Sequence, residues 1–422
     1  MKIFKLIRNI FNTELDRKTK ISIISSVILW GFIIAILFHA AMGYIFHAKS
    51  FYCTFLFHQA DAYGDFFKQL KVAKHIDPSS SIRTLEGIYL PFSYIILYPF
   101  TFIDKGDPSL SKTAYYTYAL IFLLYFMWYV YINLKSINKY SIRLKHFFVF
   151  SFLTYPFLFA IDRGNLEMYS FIFISLFVCL YQNRQILGSL IPLALSIAMK
   201  GISIVFIVLL INNKKYKEIV FLLFMVISFS ITSFLAFTGG ILENLIGIVS
   251  RTKIYTMDYM FNNWGLGYNS TLYGLIKITL YQIFPKFFNS LNNIKLLYSI
   301  YLPCAGFIFL CILAYILFIE KTFWKKMSLI IISLILLPGM SGDYRLLYLF
   351  IPLFLFINQQ GKDKHDMLYA VLFASLLIPK NYFFFHDKYF FSQAVSISSI
   401  FNPLIMLFFV FLIMKDSKRI KE

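Results

Sequence analysis

The sequence predicts an all-α polytopic membrane protein with about 11–13 transmembrane helices, some of them short or re-entrant. Apolar runs of membrane-spanning length recur along the chain. Of 422 residues, 59% are hydrophobic and only 14% charged, and the mean hydropathy is +0.71. A soluble domain carries about 25% charged residues, so this chain has too few to cover a water-facing surface. The charges it does carry are mostly basic, net +20, and bunched in short loops and tails.

Residues 1–20 form a basic tail that includes Lys2, Lys5, Arg8 and Arg17–Lys20. The first apolar run, Ile21–Ile45, is too long for a signal-peptide core and lacks a small-residue cleavage site, so it reads as a spanning helix. Further runs are Tyr115–Leu134, Phe147–Ile161, Met168–Tyr181, Ile219–Phe237, Tyr298–Ile319 and Val395–Met414. Shorter runs pair as hairpins, Leu187–Met199 with Ile202–Ile211 and Leu329–Leu337 with Leu346–Ile357, and Leu368–Ile378 is short as well. Segments this short cross only where the polar backbone between them is buried in protein or lines a cavity. A basic tail, 415–422, closes the chain, leaving 21–414 as a single transmembrane domain.

Lys and Arg set the expected orientation. The loops Lys135–Lys145, Lys214–Lys217, Lys321–Lys326 and Lys362–Lys364, with both tails, are placed in the cytoplasm by the positive-inside rule. Ile88–Ile103 and Leu272–Phe284 then cannot both be simple crossings. The outer side receives two long loops, about 46–87 and 238–270, and small turns at Asp162–Asn165, Lys200, Met340–Asp343 and Lys380–Gln393. The expected location is a bacterial inner membrane.

Several functions are excluded. There is no basic soluble domain to bind nucleic acid. No Walker loop, Rossmann glycine fingerprint, HExxH or paired CxxC occurs, so cytoplasmic nucleotide chemistry has no support. Of the four cysteines, Cys179, Cys304 and Cys311 fall in apolar runs and Cys53 in the first outer loop, so no external disulfide framework forms.

The charges that interrupt apolar sequence are the candidates for function, because an ionisable group at membrane depth costs roughly 2.5–3.5 kcal/mol. In the first loop, His58, Asp61 and Asp65 would share one face if the segment were helical. That pattern suits a carboxylate general base acting on an alcohol, a divalent-metal site, or a solvated amphipathic face. Asp162-Arg163-Gly164-Asn165 offers a guanidinium fork for phosphate and an amide for sugar hydroxyls, or alternatively a structural Asp162–Arg163 pair at a helix end. Glu167 opens the next helix at the same mouth. Lys200 stands alone between two short apolar arms, to bind an anion or to snorkel to the surface. Asp343-Tyr344-Arg345 repeats the acid–arginine arrangement, and Arg163, Lys200 and Arg345 together would neutralise a phosphate-bearing lipid headgroup. Asn269-Ser270-Thr271 opens an apolar stretch, where Ser or Thr serves as an ordinary N-cap.

In order along the chain, Asp65-Phe66-Phe67, Tyr89-Leu90-Pro91, Arg163-Gly164-Asn165, Lys200, Tyr268-Asn269-Ser270 and Asp343-Tyr344-Arg345 resemble the motif series of the GT-C superfamily of polytopic glycosyltransferases. Within it they are most similar to the bacterial polyprenol-phosphate-mannose-dependent alpha-mannosyltransferases. The sequence departs from that pattern in having one proline after Tyr89 and no glutamine between Asn269 and Ser270. The resemblance implies a GT-C-like helical fold, a polyprenyl-phosphate sugar donor and a glycan or glycolipid acceptor. It implies inverting transfer at the outer leaflet with Asp65, rather than Asp61, as the base. Arg163, Asn165, Lys200, Asn269, Asp343, Tyr344 and Arg345 would bind substrate. An O-antigen-type polysaccharide polymerase and a lipid-linked sugar flippase or transporter are the alternatives. A transporter would carry internal repeats and midplane polar residues in corresponding halves, and neither is evident.

Overall fold

The computed structural model describes residues 13–45, 55–56, 62–74, 89–104, 108–135, 137, 139–237, 240–262, 266–385 and 395–419. Among these are seventeen α-helices and one two-stranded sheet, so the all-α polytopic class holds.

Helix α1 (Arg17–Tyr44) starts where the Asp16 side chain accepts the Thr19 N–H at 3.2 Å. It therefore takes in the end of the basic tail, and Lys20 is buried in an ion pair with Asp366 at 2.9 Å. Helix α2 (Gly64–Lys74) is short and amphipathic, with Asp65 in its first turn and Lys71 and Lys74 in its last, each sign opposing the helix dipole. Helix α3 (Pro91–Thr101) begins on a proline, whose missing N–H is an orphan there in any case. Helix α4 (Pro108–Asn133) follows.

The expected span Phe147–Ile161 is corrected to a broken one: α5 (Tyr140–Phe152) and α6 (Tyr155–Arg163) meet at 45°. Pro156 is the cause, because its ring would collide with the carbonyl four residues back and it has no N–H to donate. Helices α7 (Glu167–Gln182) and α8 (Ile186–Met199) come next. At Lys200 the backbone turns extended, and the chain resumes as a 3₁₀ segment (Gly201–Phe206) and α9 (Ile207–Asn212). Helix α10 (Tyr216–Leu235) leads to α11 (Gly240–Tyr255), continued by a π-helical turn at Thr256–Phe261. The stretch read as an outer loop from its charges is thus largely helical.

Thr271 caps α12 (Leu272–Ile283), its hydroxyl accepting the Gly274 N–H at 3.0 Å, as its position suggested. Helices α13 (Leu291–Phe318) and α14 (Phe323–Leu336), a 3₁₀ segment (Asp343–Leu349), α15 (Phe350–Asn358) and α16 (Asp366–Leu377) follow. Strands Phe383–Phe385 and Val395–Ser396 pair antiparallel before α17 (Ser398–Arg419).

Five of the described helices, α1, α4, α10, α13 and α17, are long and apolar enough to cross a membrane, and the number is six when the bent α5–α6 pair is counted as one span. Four shorter apolar helices of 10–17 residues supplement them. Helices α3 and α12, with 11 and 12 residues, are about 16–18 Å long against a hydrocarbon core of about 30 Å. Each is shorter than a single straight crossing requires.

Contacts divide the chain into two compact units: one from 61–125 and 160–262, the other from 1–60, 126–159 and 263–422. In the first, α7 packs on α8, α8 on α10 and α2 on α3, and the Tyr118 and Tyr169 rings stack at 4.7 Å. In the second, α1 packs on α16, and Trp324 sits between the Phe356 and Tyr369 rings at 4.9 Å from each.

Candidate active site

The first unit holds Asp65, Arg163, Asn165 and Lys200. Asp65 follows Tyr63, whose φ of 61° is left-handed. A side chain in that conformation costs roughly 1–2 kcal/mol. The strain is offset by a 2.7 Å hydrogen bond from the Tyr63 N–H to the Asp162 carbonyl and by stacking of its ring on Tyr115 at 4.0 Å. A left-handed residue ends any helix arriving before it. Helix α2 accordingly starts only at Gly64, after this residue. His58 and Asp61 themselves lie outside the described residues.

Gly164 brings the next polar string to Asp65. Its φ is 65°, and a Cβ there would stand 2.8 Å from the Phe66 Cβ and 3.0 Å from the Tyr115 ring. The turn packs directly on the start of α2 because glycine has no side chain to prevent it. Arg163 Nη2 then donates to Asp65 Oδ1, and Asn165 Nδ2 donates to Asp65 Oδ2 at 2.7 Å. Arg163 thus pairs with Asp65, 98 residues away in sequence.

Asn165 also joins this pair to a second one. Its side-chain oxygen accepts the Glu167 N–H at 3.0 Å, and its main-chain carbonyl accepts the Tyr118 hydroxyl at 3.2 Å. Lys200 Nζ lies 2.8 Å from Glu167 Oε1, donates weakly to Asn165 Oδ1 at 3.5 Å and sits 4.7 Å over the Tyr89 ring. Lys200 is held inside the protein and does not snorkel. The two cations and two carboxylates compensate one another, as buried ions must. The Asp65 side chain is 21% exposed, against 9%, 8% and 3% for Arg163, Lys200 and Glu167, so it is the member most accessible to a substrate. The Lys200–Glu167 pairing and the Tyr118 contact were not legible in sequence, although Glu167 stood out by its place. Among the described residues no group of three metal-ligating side chains occurs.

The second unit holds the remaining candidates. Asp343 is fully buried: Ser270 donates to Oδ1 at 2.6 Å, and Tyr155 and Ser398 donate to Oδ2 at 3.0 and 3.1 Å. Asn381 donates to the Tyr155 hydroxyl at 2.7 Å and Asn402 to Ser270 Oγ at 2.9 Å. Burial pushes the Asp343 carboxyl above its usual range and the Lys380 ammonium down to about 7, and the charge of each offsets the effect on the other. Asn269 Oδ1 accepts the N–H groups of Thr271 and Ser341 at 3.1 and 3.2 Å. Asp343 and Asn269 therefore anchor the turn that carries the half-buried Tyr344 and Arg345, with the Tyr344 ring parallel to Phe159 at 6.2 Å. Tyr155, Asn381, Ser398 and Asn402 carried no sequence signal, being common polar residues in apolar surroundings.

A helical, multi-pass membrane protein with ion-paired carboxylates at its helix ends fits the class of membrane-embedded transferases. The sequence profile of Glycosyltransferase family 87, a GT-C-type membrane glycosyltransferase family, matches residues 88–338, more than half of the chain. The protein belongs to that family. It is accordingly a membrane glycosyltransferase, with a sugar donor and a glycan or lipid acceptor, and this sets aside the transporter alternative. No curated protein and no solved structure matches the chain. The matched segment contains Arg163, Asn165, Glu167, Lys200 and Asn269, whereas Asp65 and Asp343-Tyr344-Arg345 lie on either side of it.

Proposed function

We propose that the protein transfers a sugar, with mannose favoured by the motif resemblance, from a polyprenyl-phosphate donor to a hydroxyl of a glycan or glycolipid acceptor. Transfer takes place at the outer leaflet of the bacterial inner membrane, with both termini cytoplasmic, and inverts the anomeric centre. The observation that carries this is the grip of Arg163 and Asn165 on the two oxygens of Asp65, the most exposed of the four ionised groups.

In this mechanism Asp65 is the general base. Each carboxylate oxygen has two lone-pair directions, so one hydrogen bond to each leaves room to accept a proton. The acceptor hydroxyl attacks the anomeric carbon as its proton passes to Asp65. The bond from that carbon to the phosphate oxygen breaks, and its electron pair leaves with the polyprenyl phosphate. Negative charge grows on that oxygen, where fixed cations lower the barrier most. Arg163 suits this role because its five-donor fork can hold Asp65 and a phosphate oxygen together. Lys200 adds a second positive charge to the same cluster. Tyr344 and Arg345 are assigned to substrate contact, and Asn269 and Asp343 to holding their turn.

The test is donor choice. Purified protein in nanodiscs is offered a radiolabelled sugar on polyprenyl monophosphate, an oligosaccharide on polyprenyl pyrophosphate, or a nucleotide sugar. Transfer from the monophosphate alone is expected. Transfer from the pyrophosphate alone would replace this proposal with the polymerase.

A further inference from the structure

We propose that Tyr63, Tyr116 and Asp162 form a carbohydrate subsite beside Asp65 that receives the acceptor sugar; its role in the reaction rests on Asp65 being the base. Two of these residues lie on the segments that build the ion pair. Tyr63 is two positions before Asp65, and Asp162 immediately precedes Arg163. Tyr116 is carried by α4, next to the buried Tyr115.

Tyr115 stacks on one face of the Tyr63 ring at 4.0 Å and 23°, and it is the only ring stacked there among the described residues. Tyr63 remains half-buried, and no second ring stacks on its other face among the described residues. Tyr116, 55% exposed, stands nearly perpendicular to it at 6.4 Å and 75°. The two rings thus make an open corner. Asp162 is half-buried at the same place, its main-chain oxygen taken by the Tyr63 N–H. Burial first, and then the neighbouring Tyr116 and Asp162, push the Tyr63 hydroxyl above its usual range.

This combination selects a sugar. The C–H face of a pyranose carries slight positive charge and lies against the negative face of an aromatic ring. Sugar hydroxyls donate to a carboxylate and exchange hydrogen bonds with phenols. A phosphate headgroup would meet the charge of Asp162, and a lipid tail would desolvate it. An interfacial aromatic belt would explain an exposed Tyr116 but not a tyrosine kept in a left-handed conformation next to the base.

The test is saturation-transfer NMR on the full-length protein in phosphatidylethanolamine–phosphatidylglycerol nanodiscs. The probes are the methyl glycosides of α-mannose, β-glucose and β-galactose. Wild type is expected to give a signal with at least one of them, and Asp65→Asn to retain it. Tyr116→Ala, Asp162→Asn and Tyr63→Gly, which keeps the positive φ, are each expected to weaken binding about fivefold, the size of one ring contact. No signal with any probe, or an unchanged signal in all three variants, overturns the subsite. A Tyr116 that merely sits among lipid headgroups would leave the signal intact in Tyr116→Ala, which also overturns it. If Asp65→Asn still transfers sugar while the three variants lose the glycoside, the subsite stands and the base assignment falls.

Discussion

Asp65 and Arg163, 98 residues apart in sequence, are joined in one ion pair, and Asn165 grips the second oxygen of the same carboxylate. The pair ties the amphipathic helix α2 to the turn that ends the bent α5–α6 pair. It also means that neither Arg163 nor Lys200 stands alone, since Arg163 has Asp65 and Lys200 has Glu167. A donor phosphate would have to share these cations with their carboxylates, which makes the pairings directly testable.

Asp65→Asn keeps the size of the side chain and one acceptor but cannot take a proton. A positioned base contributes about 10²–10⁴-fold, so transfer should fall by that factor. Donor binding should persist, as measured by retention of labelled donor on the purified protein. Normal turnover in Asp65→Asn would remove it from the reaction.

Arg163→Lys keeps the charge and can still pair with Asp65, but an ammonium cannot reproduce the fork that holds a carboxylate and a phosphate together. Turnover should drop at least about tenfold, the difference between a bidentate contact and a point charge. Arg163→Ala should be worse because it leaves Asp65 with Asn165 alone. Equal activity in wild type and Arg163→Lys would reduce the residue to a structural counter-ion.

How much of this was visible beforehand follows from how local each signal is. Lys200 was legible because one charge between two apolar runs marks a break wherever it occurs, and the helix does end there. Thr271 was legible as a cap for the same reason. The partner of Arg163 was not, because the nearest acid in sequence is Asp162 and only the fold brings up Asp65. Tyr63 gave no warning of its left-handed backbone, which tyrosine does not advertise as glycine does. The bend between α5 and α6 was encoded in Pro156, but the apolar run continues through it and reads as one span. In α11, Glu243, Arg251 and Lys253 suggested a loop, although Ile241, Leu242, Leu245, Ile246 and Val249 recur at helical spacing.

The Lys200–Glu167 pair should behave as a buried unit. Removing one partner strands the other charge, at a cost of about 3–5 kcal/mol, whereas removing both removes the desolvation burden as well. Lys200→Met and Glu167→Gln should each lower the apparent melting temperature in detergent, and the double variant should recover a large part of the loss. Simple additivity of the two single effects would mean that the pair is not coupled.

Gly164→Ala tests whether the close packing of the turn sets the geometry of the site. An alanine there meets two penalties: the positive φ, worth roughly 1–2 kcal/mol, and a Cβ placed 2.8 Å from that of Phe66. The turn must move away from α2, and Arg163 and Asn165 move with it. A displacement of about 1 Å at a reacting group can cost about 10²-fold, so activity should fall further than the loss of stability alone explains. Gly188→Ala is the control, since a Cβ on that helical residue meets nothing within 4 Å and alanine favours helix. Melting temperature and turnover measured on both variants separate the two effects. If Gly164→Ala is destabilised but turns over normally once folded, the turn supports the fold without aiming Arg163 and Asn165 at Asp65.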